Sequence, residues 1–172
     1  METGLYNTIV GAEALATNVD GDYNTAIGYR ALQTFEADTD GHGSNTAIGA
    51  LAMRDTTTGT HSVAVGYQAL GDGVLTGNYN VGMGYRAGLN VSDGQYNVLI
   101  GGDAGVNTTV GSSNVAIGLN SLFGNVDGSS NVAVGVGTLQ DLDPASAIAT
   151  DNTAVGHSAG HAITTGVKNT IV

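Results

Sequence analysis

A five-residue unit returns along the chain, in which a polar opener is followed by a branched residue, a small one, a second branched one and Gly. It reads NTAIG at Asn24–Gly28 and again at Asn45–Gly49, NVAIG at Asn114–Gly118, NVAVG at Asn131–Gly135 and NTAVG at Asn152–Gly156. Alternation with a period of two residues predicts a short strand with unlike faces. The openers are Asn7, Asn24, Asn45, Ser62, Asn80, Asn97, Asn114, Asn131, Asn152 and Asn169, with successive spacings of 17, 21, 17, 18, 17, 17, 17, 21 and 17. The base period is therefore 17, with one single-residue insertion and two of four residues. The repeat fills all of residues 1–172, so the pattern predicts one repeat domain with no linker.

With the opener as position one, position five is Gly in every complete repeat, which suits a corner that needs positive φ or close backbone approach. Positions eight (Ala, Ser or Thr) and nine (mostly Leu, Met or Gly) suggest a second short strand, and a polar turn follows with Gly near position fifteen. Seventeen residues are too few for a helical-hairpin repeat, which needs about 30 or more, but suffice for one coil of a parallel β-solenoid. Stacked coils pair about 4.8 Å apart and align equivalent positions into ladders. Asn24, Asn45, Asn97, Asn114, Asn131 and Asn152 then form a structural amide ladder.

Residue size places the large side chains inside. On that expectation the interior holds Val10, Ile27, Ile48, Val65, Met83, Ile100, Ile117, Val134 and Val155 in one column. The small column at positions three and eight, with Ala26, Ala31, Ala47, Ala64, Ala69, Ala116 and Ala133, then faces out for close packing against another copy. Both four-residue insertions fall at the same phase of the repeat, so 34–44 and 141–151 are expected to project from one side, as local contacts or as tolerated length variation. The first repeat starts at GLYNTIVG, three residues into the sequence, and the last residues are KNTIV, which reads as a segment of a longer fibre or as copies continuing one another end to end.

HSVAVG at His61–Gly66 and SNVAIG at Ser113–Gly118 resemble the head repeats of trimeric autotransporter adhesins. YNTAIGYRAL at Tyr23–Leu32, echoed by HSVAVGYQAL at His61–Leu70, is similar to repeats in phage tail fibres, where such units often precede a self-cleaving chaperone domain. The resemblance implies a parallel β-roll that assembles as a homotrimer, displayed on a virion or cell surface for attachment. It brings no catalytic residues.

Composition narrows the choices. The hydrophobic share is 41% and the charged share 11%, a balance that favours folding over disorder. Four Lys/Arg against 15 Asp/Glu give a net charge of −11, which repels nucleic-acid phosphates and anionic membranes. No apolar run reaches the roughly 20 residues needed to span a bilayer. With no Cys, disulfides and thiolate metal sites are excluded.

Candidate chemistry is sparse. His42, His61, His157 and His161 read as exposed polar residues; a metal would need several copies meeting on an axis. NVDGDYN at Asn18–Asn24 and DTDGHGSN at Asp38–Asn45 have the flavour of calcium loops, but lack the closing Glu and match what tight turns require. Glu36, Asp38 and Asp40 in one insertion are about 29 Å along the rod from Asp141 and Asp143 in the other, too far for paired-carboxylate glycan cleavage. No GxSxG occurs, so the chain is not expected to be an enzyme, and no cofactor or metal is called for. Tyr29, Tyr67 and Tyr85 share position six, while Tyr6, Tyr23, Tyr79 and Tyr96 precede an opener. Subunit packing is favoured for them over sugar stacking. Tyr29, Tyr67, Tyr85 and Phe35 are the candidate contacts for a glycan or a neighbouring subunit.

The leading expectation is a structural and adhesive segment of a viral tail fibre or cell-surface adhesin, at the virion surface or outside the cell. Its partners are further copies of itself and a cell-surface glycan. An ice-binding solenoid is the alternative, argued against because the threonines at 56–58, 108–109 and 164–165 fall in turns. A polysaccharide-degrading tailspike is the third.

Overall fold

The computed structural model describes residues 4–37, 42–144 and 146–172. It is a parallel β-solenoid of about nine turns, all-β, with ten strands in one sheet running in chain order from β1 (Thr8–Val10) to β10 (Thr170–Ile171). Every strand pairs in parallel with the equivalent residues of the next coil, as in Thr25↔Thr46, Ala26↔Ala47 and Ile27↔Ile48. At the usual strand spacing the sheet is about 43 Å long. The insertions leave this register intact: the bridges Asp22↔Gly43 and Ser129↔Ala149 bring the chain back into phase.

The strand faces are the reverse of the size-based expectation. Ala26, Ala47, Ala64, Ala116 and Ala133 at position three, and Ala31 and Ala69 at position eight, are fully buried inside their own chain. Val10, Ile27, Ile48, Met83, Ile117 and Val155 are exposed, and Val65, Ile100 and Val134 half-buried, on the outer face. The Ala column is therefore core and cannot be a subunit contact. The cause is the width of the coil. Its lumen already holds the position-nine side chains (Leu32, Met53, Leu70, Leu122 and Leu139) and a further buried column at position twelve (Phe35, Thr56, Val91, Thr108, Asn125 and Leu142). In these coils, where position nine is Leu or Met, the strand's middle residue is Ala, the size that fits opposite at ordinary interior packing density.

Positions eight and nine form no second strand. They belong to a run of turns in which positions seven and nine adopt positive φ, as at Arg30 (55°), Leu32 (53°), Gln68 (54°) and Leu70 (49°). The left-handed conformation costs non-Gly residues roughly 1–2 kcal/mol each. It is offset because it aims successive amides at different neighbours: Arg30 N–H reaches back to the Ala12 carbonyl (3.0 Å), and Leu32 N–H reaches on to Ala52 (2.9 Å). The turns thus hydrogen-bond between coils in both directions without sheet geometry.

Position five is Gly for both reasons anticipated. Gly66 has φ +134°, and a Cβ there would lie 2.5 Å from the Gly84 carbonyl oxygen of the next coil.

The Asn column is a buried ladder with a second task. Each side-chain oxygen accepts the next opener's backbone N–H, for example Asn97 to Asn114 and Asn114 to Asn131, both at 3.0 Å. In most coils the amide nitrogen also donates to the turn carbonyl that ends its own coil, as Asn97 does to Gly111 (2.8 Å) and Asn114 to Gly128 (2.9 Å). One side chain thereby locks the strand to its neighbour and closes the ring. The two coils that carry four-residue insertions depart from this: the Asn24 amide nitrogen has no partner among the described residues, and that of Asn131 donates to Asn114 Oδ1 (3.0 Å) and to the Ser129 carbonyl (3.3 Å).

Position twelve has no consensus, and among the described residues it leaves three polar atoms stranded: the hydroxyls of Thr56 and Thr108 and the side-chain oxygen of Asn125 are buried without a partner. Val91 fills the same column one coil before Thr108. Thr108→Val is therefore expected to stabilise the fold by about 1 kcal/mol, because it removes an unsatisfied hydroxyl at nearly constant shape. A urea melt with unchanged slope and a higher midpoint is the expected observation.

Candidate functional site

With the Ala column inside, the strands present positions two and four to the outside, and position six lies just past the Gly corner. Position four gives a column of Val, Ile and Met from Val10 to Val172, and position two gives Thr or Val throughout. Position six contributes Tyr29, Tyr67, Tyr85, Leu119 and Val136, all exposed. No Asp, Glu, Lys or Arg stands at any of these positions in any coil. The result is an uncharged, largely apolar strip running the length of an acidic rod.

The charges lie beside the strip. Glu13 pairs with Arg30 on the next coil (2.8 Å), Arg54 bridges Asp55 (2.5 Å) and Asp72 (2.8 Å), and Arg86 lies 3.0 Å from Asp103. Hydrogen bonding to Asp55 strengthens the hold of Arg54 on its proton. Arg30 and Arg86 also sit over the rings of Tyr29 and Tyr85, at 5.0 and 5.5 Å from the ring centres. All three arginines are thus engaged within the chain. His161 lies 3.4 Å from Asp141, and among the described residues no three His, Asp or Glu side chains gather as a metal site.

Tyrosines occupy two columns. Tyr67 and Tyr85 stack at 5.7 Å on the strip, while Tyr29 has no neighbouring ring because Ala50 takes its place on the next coil. Before the openers, Tyr6 stacks on Tyr23 at 4.9 Å, and His61, Tyr79 and Tyr96 form a continuous pile at 4.9 and 5.2 Å. The inclusion of His61 was not anticipated; its one-residue lead over an opener, the same as that of the tyrosines, was the available signal. Phe35 is the exception among the candidate contacts. Its side chain is wholly enclosed in the core and is no surface contact.

Beside the aromatic pile a polar groove of about 470 Å³ is lined by His42, Thr58, Thr60, His61, Thr76, Asn78 and Tyr79, with no carboxylate among them. Of the insertions, Pro144 is buried, whereas Ser146, Ala147, Ile148 and Ala149 are exposed. In the first, Phe35 and Ala37 are buried, and Asp38, Thr39, Asp40 and Gly41 lie outside the described residues. Comparison with protein-family models, with curated proteins and with solved structures finds no match.

Proposed function

We propose that the chain is a structural and adhesive segment of a fibre at a virion or cell surface, and that its working unit is a parallel homotrimer packed through the outer strand face. The uncharged strip carries this reading. Copies with a net charge of −11 repel one another over most orientations, and the strip is where they can approach without bringing carboxylates together. A cyclic arrangement hides the strip of every chain and repeats the same contact at each coil. The number three rests on the resemblance to fibre and adhesin repeats. In that assembly Tyr29, Tyr67 and Tyr85 pack between chains, and contact with a cell-surface glycan falls to the groove beside His61 and Tyr79. Light scattering on the purified chain is expected to give three chain masses, with dissociation favoured at low salt where repulsion is least screened. A monomer at all accessible concentrations and ionic strengths overturns the reading.

One observation favours ice binding as a second reading. Thr8, Thr25 and Thr46 form a row along the outer strand face, in register from coil to coil. The same face cannot serve both roles. A monomer that shows thermal hysteresis supports ice binding, and a trimer without it supports the fibre.

A further inference from the structure

All seven tyrosines are exposed, and six of them stand in parallel stacked pairs across adjacent coils. The Tyr79–Tyr96 pair has ring centres 5.2 Å apart and an interplanar angle of 4°. The Tyr6–Tyr23 pair has values of 4.9 Å and 13°. Within each pair the two residues share one backbone conformation, with φ 60° and 58° at Tyr79 and Tyr96, and 59° and 58° at Tyr6 and Tyr23. The two phenol rings of each pair therefore stand face to face on adjacent coils. Tyr79 is 48% exposed and Tyr96 57%, so the rings have room to swing out of the stack toward solvent. The chain has no Cys and no Trp. Oxidative cross-linking through sulfur is therefore closed to it, and no indole competes for one-electron oxidation.

We propose that the Tyr79–Tyr96 and Tyr6–Tyr23 pairs are sites of oxidative coupling, at which a peroxidase using hydrogen peroxide ties neighbouring coils together as dityrosine. Each phenol loses one electron and its hydroxyl proton. The two radicals join through a carbon–carbon bond between ring positions ortho to oxygen, and each joined carbon then passes its hydrogen to the phenol oxygen. The pair loses two hydrogens in all, and one hydrogen peroxide is reduced to two waters. The bond closes a loop of 17 residues, so it restrains the unfolded chain far more than the folded one, as other covalent cross-links do. This goes beyond the fibre reading and is independent of subunit number, because both pairs lie before the openers and not on the uncharged strip.

The test is peptide mapping by mass spectrometry after brief treatment of the native protein with a heme peroxidase and hydrogen peroxide. The expected products are intrachain peptides joined at Tyr79–Tyr96 and at Tyr6–Tyr23, in a yield that does not fall on tenfold dilution. Tyr96→Phe should lower coupling at Tyr79 at least tenfold and leave the Tyr6–Tyr23 link in place, which also shows that the variant remains folded. Urea-unfolded chain should lose the pairing preference. The linked protein should melt several degrees higher than the untreated one. Coupling mainly between chains, or coupling of the unpaired Tyr29 as fast as Tyr79, overturns the proposal.

Discussion

Ala116→Arg is expected to abolish folding, while Ile117→Asp, one residue further on, leaves the solenoid intact. Ala116 is fully buried and stands between Leu99 and Ala133 in the ladder, so no direction along or across the coil offers its replacement space. An arginine there must overpack a filled lumen and strand an unpaired charge, at a cost of about 5 kcal/mol or more, comparable with the whole stability of an ordinary domain. Ile117 is 38% exposed on the opposite face, between Ile100 and Val134. Aspartate there forfeits lateral contacts worth about 1 kcal/mol and keeps its hydration. Circular dichroism should therefore show a folded Ile117→Asp chain and an unfolded Ala116→Arg chain. If the outer face also joins subunits, light scattering should find the Ile117→Asp chain monomeric. A folded Ala116→Arg protein would return the Ala column to the surface.

Much of this architecture was legible because it is written in repetition. The spacing of the openers predicts the strand of each coil, and the parallel pairs Thr25↔Thr46 and Val132↔Thr153 follow that alignment even across the four-residue insertions, whereas the second strand expected at positions eight and nine is a run of turns. Gly66 and its equivalents were marked as corners by their invariance within the chain, and the amide ladder by the recurrence of Asn. What alternation does not reveal is which face is inside. A period-two pattern is symmetric in that respect, and the usual tie-breaker, residue size, fails when a single narrow coil must also hold Leu32 and Phe35. Position twelve escaped notice for a related reason: Phe35, Thr56, Val91, Thr108 and Asn125 share burial but no chemistry. The left-handed turns are marked by Gly in only some coils, at Gly88, Gly105, Gly137 and Gly160; at Arg30 and Leu32 hydrogen bonds to neighbouring coils, not local preference, hold the same conformation.

One irregularity in the repeat shows how strictly the lumen conserves volume, and it supports the second large expected effect. Most coils place Ala at position three and Leu or Met at position nine, but the coil opening at Asn97 has Leu99 at position three and Gly105 at position nine. The coil before it has Gly82 and Gly88 at the same two positions. A Cβ on Gly105 would lie 2.7 Å from Leu99 Cδ2, and one on Gly88 would lie 2.7 Å from Leu99 Cδ1. Leu99 thus fills from the strand side the space that position nine fills elsewhere. Leu99→Ala alone should cost about 3 kcal/mol through the cavity it opens. Gly105→Leu alone should cost about 2 kcal/mol by overpacking against Leu99. Its backbone is no obstacle, since Gly105 has φ 55° and Leu122, at the same position of the next coil, has φ 54°. The double variant restores the common arrangement in its own coil and should also cost only about 2 kcal/mol, the remainder reflecting the space beside Gly88 that Leu99 no longer fills. The coupling energy from urea midpoints is then about 3 kcal/mol, the upper end of what contacting residues show. Additive losses near 5 kcal/mol in the double variant would mean that the two side chains do not exchange for one another, and the inward assignment of the strand's middle residue would lose its strongest support.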